Sequence, residues 1–416
     1  MSVASAPSAI GVGANWTYTA TVTGSSNQTV TWSASGGTID QNSGLFIAPS
    51  TVPSSPNITI TATSAADTSA TASATVTVQA SDPLGTASDV TQLPSCVGYS
   101  SYTATPSCYQ MTVSCPGAAD ITVYLKVLTP SGAPAGTVLF GTGTGGSGLY
   151  DDPNGGGYEY GSNVVQNLQT AGYNTVQVSF GAPFTSSQSN GWLQGPGGVR
   201  RLACRYATVA DWVYKNPTII NSGVIASNSA PMCATGNSGG SAAVVYAVEE
   251  YGLNTEFTMI EPTSGPVMSR IDQGCSACNS SVTGPVCDAS GNTHPQMCYE
   301  SADASVIDEA YQTSGNTSNT PCTNALNGNA GANASAIFLS DSILWQGSAT
   351  VTIANTAIKQ LIGDDDTSNA VPQALTWQAQ VSPPPASQCL AGVQHDIPSF
   401  QSGATQIVSD ITSACK

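Results

Sequence analysis

The pentapeptide Gly-Asn-Ser-Gly-Gly at 236–240 matches the pattern Gly-x-Ser-x-Gly, in which a serine serves as a nucleophile. An apolar run from Met232 to Thr235 predicts a strand before it, and residues 241–251 predict a helix after it. In this context the serine hydroxyl lies on a tight turn at the carboxyl edge of a sheet, where larger flanking side chains would collide with neighbouring backbone. We therefore predict Ser238 as the nucleophile; the alternative is an ordinary turn between a strand and a helix.

The chain contains two histidines, His294 and His395, so any mechanism that needs an imidazole has at most two candidates. His395 lies in a glycine-flanked loop between a short predicted strand and the last predicted helix. A histidine pKa near neutrality suits a general base, so we predict that His395 is the base rather than a solvated surface residue. His294 lies between Cys287 and Cys298, where we expect a structural or surface role or a place at the border of the cleft.

The order of these residues along the chain excludes two protease architectures. The pentapeptide is similar to the Gly-Asp-Ser-Gly-Gly of chymotrypsin-like proteases, but those enzymes and subtilisins place His and Asp before Ser. Here both histidines follow Ser238. The order Ser, acid, His is that of α/β-hydrolases, and residues 96–416 resemble this superfamily and its secreted esterase branches.

The resemblance implies where the acid of a Ser-His-Asp triad lies. In the superfamily it commonly follows a strand in a loop that reads Gly-x-x-Asp, which indicates Asp366 in the segment 363–366. Asp365 is the alternative, and Glu261 and Asp341 are the reserves. The three adjacent carboxylates of 364–366 would also suit a calcium site, which need not exclude catalysis.

The resemblance also implies an oxyanion hole of two backbone N–H groups. Gly239 follows the nucleophile and supplies one of them. The other is expected from the loop at 141–146, which resembles the glycine-rich loop of hydrolases but lacks their usual His. We predict Thr144 as this donor, with Gly143 and Gly145 as alternatives.

Alternating strand and helix patterns predict a mostly parallel sheet that is covered by helices on both faces. Residues 270–340 interrupt the alternation with a segment rich in Cys, Asn, Ser and Gly, which we interpret as a disulfide-tied insertion. The predicted strands cover 121–128, 136–140, 176–180, 232–235 and 257–260, and the predicted helices cover 198–215, 241–251, about 370–380 and about 400–414.

The first 80 residues contain no Cys, Lys, Arg or His, and their period-2 apolar pattern predicts a small β-sandwich. The stretches 22–32, 44–49 and 74–78 resemble bacterial Ig-like domains. A spacer or stabilising role is expected, with binding to an insoluble substrate or a wall as the alternative. Residues 81–95 are interpreted as a linker to the hydrolase unit at 96–416.

Composition excludes further classes of protein. Among 416 residues, 8 Lys and Arg against 25 Asp and Glu give a net charge of −17, so the basic surface of a nucleic-acid binder is excluded. Anionic lipid surfaces would repel such a chain, and no apolar run reaches the roughly 18 residues of a membrane helix.

The twelve cysteines favour a disulfide framework in an oxidising compartment, and we expect a mature exported protein. A zinc site at 275–298 is the alternative. We predict that Cys389 pairs with Cys415, which would fix the histidine loop, and that Cys204 pairs with Cys233.

We therefore predict a secreted serine esterase for small, plant-wall or polyester substrates, which is a monomer and needs no cofactor or metal. A serine peptidase of the same fold and a non-catalytic surface or adhesion protein are the alternatives. Trp192 lies in the loop after a predicted strand, and it either lines the substrate cleft or anchors a packed loop.

Overall fold

The computed structural model describes the ranges to which every structural statement here refers: 1–4, 6–96, 102–152, 157–181, 191–217, 230–278, 287, 296–313 and 317–416. The N-terminal part is built from short strands: β1 (Ser2–Val3), β2 (Ala9–Gly11), β3 (Asn15–Thr17), β4 (Ala20–Thr21), β5 (Val30–Ala34), β6 (Thr38–Ile39), β7 (Leu45–Ile47), β8 (Asn57–Ser64) and β9 (Thr71–Gln79).

These strands form two small sheets and a separate pair around a shared core. The sheets have the orders β2-β9-β8-β5 and β3-β7-β6, and β1 pairs with β4. Alternation along β8 buries Ile58 and Ile60, which pack with Trp32 and Phe46. The all-β character predicted for this region is confirmed.

The large sheet contains nine strands in the order β10-β11-β12-β14-β13-β15-β16-β18-β20. Its neighbours from β14 through β20 pair in parallel, whereas β10, β11 and β12 extend it as antiparallel strands. The remaining strands β17 and β19 form a separate pair. The strands are β10 (Thr86–Gln92), β11 (Ser107–Ser114), β12 (Ile121–Leu128), β13 (Gly136–Gly141), β14 (Tyr173–Phe180), β15 (Met232–Asn237), β16 (Phe257–Thr263), β17 (Val351–Thr352), β18 (Ala357–Gly363), β19 (Val381–Ser382) and β20 (Ala386–Leu390).

Helices cover both faces of this sheet: α1 (Gly161–Thr170), α2 (Val199–Leu202), α3 (Cys204–Lys215), α4 (Gly239–Glu249), α5 (Ile271–Gly274), α6 (Ser301–Glu309), α7 (Pro321–Leu326), α8 (Ala334–Asp341), α9 (Ala370–Gln378) and α10 (Gln401–Ala414). One core contains the buried faces of α3 and α4, and the other contains those of α1 and α10. Helices α5 to α8 belong to the Cys-rich insertion. The predicted architecture is therefore confirmed: a mostly parallel α/β sheet with helices on both faces and a Cys-rich insertion, preceded by a small all-β region.

The structure differs from the linker prediction, because residues 86–92 form β10 at the edge of the large sheet, paired with β11. An edge strand needs little apolar surface, so these mostly polar residues show no strand pattern in the sequence. The preceding residues also contact the sheet domain. Asp82 forms an ion pair of 2.6 Å with Arg200, whose guanidinium also contacts Glu250 at 2.7 Å.

The N-terminal region is bound to the sheet domain by further polar contacts around α2 and α8. Arg200 donates to Val12 O at 2.9 Å, and Asn15 donates to Asp341 at 2.8 Å. The guanidinium of Arg201 lies 4.1 Å from the ring centre of Trp16. Trp16 also packs against the core of the N-terminal region, so its ring connects that core to the junction.

Six disulfides connect all twelve cysteines: Cys96–Cys108, Cys115–Cys204, Cys233–Cys415, Cys275–Cys322, Cys278–Cys298 and Cys287–Cys389. The expected framework is present. All four cysteines of the zinc alternative are in disulfides: Cys278 and Cys298 pair with each other, and Cys275 and Cys287 pair with cysteines outside 275–298. Both predicted pairings, Cys389–Cys415 and Cys204–Cys233, are wrong. Cys204 and Cys233 belong to cores on opposite faces of the sheet, so their nearness in the sequence does not indicate that they pair.

Candidate active site

Ser238 lies on the turn between β15 and α4, in a backbone conformation that few side chains adopt. Its φ and ψ are 53° and −121°, and its N–H donates to Thr263 O at 3.0 Å. A Cβ atom added at Gly236 would lie 2.4 Å from Gly240 O, and one at Gly239 would lie 1.9 Å from Thr144 O. The glycines of the pentapeptide are therefore required by close backbone packing, which holds the serine at the edge of the sheet.

His395 and Asp366, which the sequence predicts as a base and its acid, contact each other. His395 Nδ1 lies 2.9 Å from Asp366 Oδ2 and 3.1 Å from Ser368 Oγ, and the N–H of Ser368 donates to Asp366 Oδ1 at 2.9 Å. Because Nδ1 is occupied, Nε2 is the ring nitrogen left for proton transfer. Asp366 is 1% exposed, whereas the side chain of His395 remains 33% exposed.

Opposing effects set the pKa values of this pair. Burial alone would raise the pKa of Asp366, but the hydrogen bond and charge of His395 outweigh it and lower that pKa. Burial would likewise lower the pKa of His395. The hydrogen bond and the charge of Asp366, aided by Asp396 and Asp303, raise the histidine pKa above its ordinary 6.5.

The two aspartates that precede Asp366 have other surroundings. Asp365 is exposed, and its N–H donates to Val393 O at 3.0 Å. Asp364 accepts a hydrogen bond of 2.6 Å from the N–H of Gly392 and so connects the acid loop to the histidine loop. Within the described ranges, no group of three or more His, Cys, Asp or Glu side chains could hold a metal ion, which leaves the calcium alternative without support.

The reserve acids lie away from His395. Glu261 is fully buried near Asp410, and burial together with the charge of Asp410 raises the pKa of Glu261 well above its ordinary value. Asp341 belongs to the junction with the N-terminal region, where it accepts hydrogen bonds from Asn15 and Tyr311. His294 lies outside the described residues, so its role stays a prediction.

The backbone of Thr144 packs directly against Gly239. A Cβ at Gly239 would lie 3.1 Å from Thr144 N, and Thr144 has a φ of 53°, which is uncommon for a residue other than glycine. The neighbouring N–H of Gly143 donates to the hydroxyl of Tyr158 at 3.0 Å and is therefore occupied. This contact favours Thr144 over Gly143 as the second oxyanion donor.

A cleft of about 280 Å³ brings these residues together, and Thr144, Ser238, Gly239 and His395 all line it. Its remaining wall comes from the loop after β16, from α6 and from the start of α9: Val267, Met268, Tyr299, Glu300, Asp303, Val306, Ile307, Ser368, Asn369 and Ala370. The Cys-rich insertion thus supplies much of the apolar wall through α6.

Trp192 is not part of this cleft, so its predicted role in substrate binding is wrong. It is 1% exposed and packs against Tyr246 with ring centres 6.5 Å apart. Its backbone N–H donates to Gly145 O at 2.7 Å, which fixes the glycine-rich loop. Trp192 is therefore the packed anchor of that loop, the alternative reading of its position.

Two contributors to the site were missed in the sequence. Ser368 binds both members of the acid–base pair, and its spacing of two residues from Asp366 is a local signal, because aspartate often accepts from the N–H two residues on. Tyr158 occupies the N–H of Gly143 from a distant part of the loop, and no spacing rule indicates that contact.

No protein-family model matches the sequence, and no curated protein is significantly similar to it. Among solved structures, the chain is similar to brefeldin A esterase, a bacterial homologue of human hormone sensitive lipase (13% identity, 77% of this chain and 80% of that one, TM-score 0.41). It is also similar to the esterase domain of a Rhodothermus marinus protein (10%, 74% and 96%, 0.38) and to epoxide hydrolase A from Mycobacterium thermoresistibile (12%, 74% and 98%, 0.39). These proteins catalyse different reactions, so none of their activities is transferred to this chain.

Proposed function

We propose that this protein is a serine hydrolase that cleaves carboxylic esters through Ser238, His395 and Asp366. The observation that carries the proposal is the 2.9 Å contact between His395 Nδ1 and Asp366 in a cleft that Ser238 also lines. An imidazole held in this way by a buried carboxylate can accept a proton at Nε2 and keep the resulting charge stabilised.

The reaction follows from these positions. Ser238 Oγ attacks the ester carbonyl carbon while His395 Nε2 accepts the serine proton, and the developing oxyanion is bound by the N–H groups of Gly239 and Thr144. The proton then passes from Nε2 to the leaving alcohol as its bond to the carbonyl carbon breaks. Water hydrolyses the acyl-enzyme in a second cycle through the same histidine.

We further propose that the protein acts outside the cell, on small, plant-wall or polyester esters, as a monomer. Six disulfides support an oxidising compartment. No helix in the described ranges is long and apolar enough to cross a membrane. The apolar side chains Val267, Val306 and Ile307 in the cleft favour uncharged acyl groups over charged ones.

The test is hydrolysis of a p-nitrophenyl ester series of increasing acyl length by the wild type, Ser238→Ala and the exposed-helix control Ser409→Ala. We expect Ser238→Ala to lose on the order of 10⁶-fold in kcat, while Ser409→Ala stays within twofold. Ester hydrolysis that survives Ser238→Ala would contradict the proposal. A peptide panel run in parallel would identify a peptidase, if amides rather than esters are cleaved.

A further inference from the structure

A second groove adjoins the cleft at His395, which lines both spaces. It encloses about 460 Å³, and we call it the Tyr160–Phe400 groove after its two aromatic residues. Its other lining residues are polar: Glu159, Gln394, His395, Asp396, Ser399 and Gln401. His395 therefore lines both the cleft and an aromatic, acidic groove.

The two sides of the Tyr160–Phe400 groove are connected to each other. The N–H of Tyr160 donates to Pro398 O at 3.1 Å, and the N–H of Glu159 donates to Ser399 Oγ at 3.3 Å. Tyr160 and Phe400 are half-buried and pack against the core that includes α1 and α10. The groove is thus fixed by hydrogen bonds and by the core before any ligand binds.

We propose that the Tyr160–Phe400 groove binds the alcohol part of the ester, and that this alcohol is a neutral, polyhydroxylated group such as a sugar. The inference rests on the proposed function. His395 Nδ1 is held by Asp366, so the leaving alcohol receives its proton from Nε2. Its oxygen must then lie beside His395, and the groove that adjoins this residue is where we place the rest of the alcohol.

The acylation step exchanges one bond and transfers one proton. In the acylation step, the bond from Ser238 Oγ to the carbonyl carbon forms and the bond from that carbon to the alcohol oxygen breaks. The proton that leaves Ser238 reaches the alcohol through His395, so no other co-reactant is needed. The acyl group remains in the cleft on Ser238, while the free alcohol departs through the Tyr160–Phe400 groove.

The chemistry of the lining residues selects the kind of alcohol. Carboxylates accept hydrogen bonds but do not donate them, so Glu159 and Asp396 favour a ligand with donors such as hydroxyl groups. The amides of Gln394 and Gln401 can accept or donate. Among the described residues, no Lys or Arg lines the groove, which disfavours an anionic alcohol. The rings of Tyr160 and Phe400 offer apolar faces for a sugar ring.

The test compares esters that share one acyl group and differ in the alcohol: 6-O-acetylglucose, ethyl acetate and acetylcholine. The measured quantity is the ratio of kcat/KM for 6-O-acetylglucose to that for ethyl acetate. We expect Tyr160→Ala to lower this ratio about tenfold, with Tyr160→Phe retaining most of it, because the ring supplies the contact. Tyr214→Ala, a half-buried tyrosine packed against the core on the opposite face, is the matched control and should leave the ratio unchanged.

Three outcomes would overturn the inference. The ratio could be unchanged in Tyr160→Ala, or it could fall equally in Tyr214→Ala. Alternatively, acetylcholine could be the preferred ester and lose most from Tyr160→Ala, in which case the groove binds a cation through its carboxylates and rings. Failure of the proposed function is different from all three, since the wild type would then hydrolyse none of the acetyl esters.

Discussion

Two of the places where acidic side chains are buried in this protein provide them with different counter-ions. At the junction with the N-terminal region, Asp82 and Glu250 contact the guanidinium of Arg200, which is charged at every accessible pH. Beside the cleft, Asp366 contacts the imidazole of His395 and accepts a hydrogen bond from the N–H of Ser368. Because Arg200 stays charged, the junction is a fixed structural contact. His395 can gain or lose a proton, so its pair with Asp366 is able to transfer one.

The largest expected effect tests the catalytic side of this comparison. Asp366→Asn should lower kcat/KM by about 10⁴-fold, because an amide no longer holds the histidine tautomer that accepts a proton at Nε2. Asp365→Asn is the matched control, since its exposed side chain neighbours the site without contacting His395, and it should stay within twofold. Ester hydrolysis by both variants measures this difference. Equal losses of kcat/KM would mean that Asp366 contributes no more to catalysis than Asp365.

Removal of the permanent cation tests the structural side. Arg200→Met should lower the free energy of unfolding by about 3–5 kcal/mol, because Asp82 and Glu250 would remain buried without a counter-ion. Lys215→Met removes a cation that is 59% exposed beside Asp211, and it should cost less than about 1 kcal/mol. Denaturant unfolding measures both, and similar losses would show that the junction contributes nothing beyond surface charge.

The activity that depends on His395 and the stability that its pair with Asp366 contributes should respond to pH in opposite directions. His395 must be neutral to accept a proton, and its pKa is raised above 6.5, so kcat/KM should fall about tenfold per pH unit well below that pKa. The stability that the pair contributes has the opposite trend. It is fully present below the unfolded pKa of histidine and is lost as the pH rises through the higher folded pKa.

A pH–rate profile together with unfolding curves at several pH values tests this prediction. In Asp366→Asn the raised pKa should disappear, so the acid limb of the residual activity should move to lower pH. A limb that stays in place would contradict the assignment of Asp366 as the cause.

The smallest effect concerns the backbone of the nucleophile. Ser238→Gly should raise the free energy of unfolding by about 1 kcal/mol while abolishing activity, because glycine adopts a φ of 53° without penalty. Ser238→Ala removes the same hydroxyl but keeps a Cβ, so it should not gain this stability. Thermal unfolding of both variants measures this difference. Equal midpoints would show that the backbone conformation of Ser238 does not lower the stability.

The sequence predicted the elements of the site that depend on local pattern. The pentapeptide at 236–240 and the chain order of Ser238, Asp366 and His395 indicated which residues would meet, and the structure places all three in or beside one cleft. Trp192 could not be assigned, because an aromatic residue in a loop has the same local pattern whether it packs inward or lines a cleft.

The contacts between distant parts of the chain were harder to predict. The pairing of Cys233 with Cys415 depends on which face of the sheet each thiol lies on, and nearness in the sequence does not report that. The edge strand at 86–92 has no apolar alternation, and the ion pair between Asp82 and Arg200 joins residues 118 positions apart. Such features follow from the tertiary packing alone.

The disulfide between Cys233 and Cys415 closes a ring of polypeptide that contains Ser238, Asp366 and His395. A single cut in an open chain divides it into two molecules, but a single cut in a ring only opens the ring. A protease that hydrolyses one surface loop between these cysteines would therefore leave the nucleophile, the acid and the base on one covalent molecule. The two fragments made by such a cut would come apart only after this disulfide is reduced.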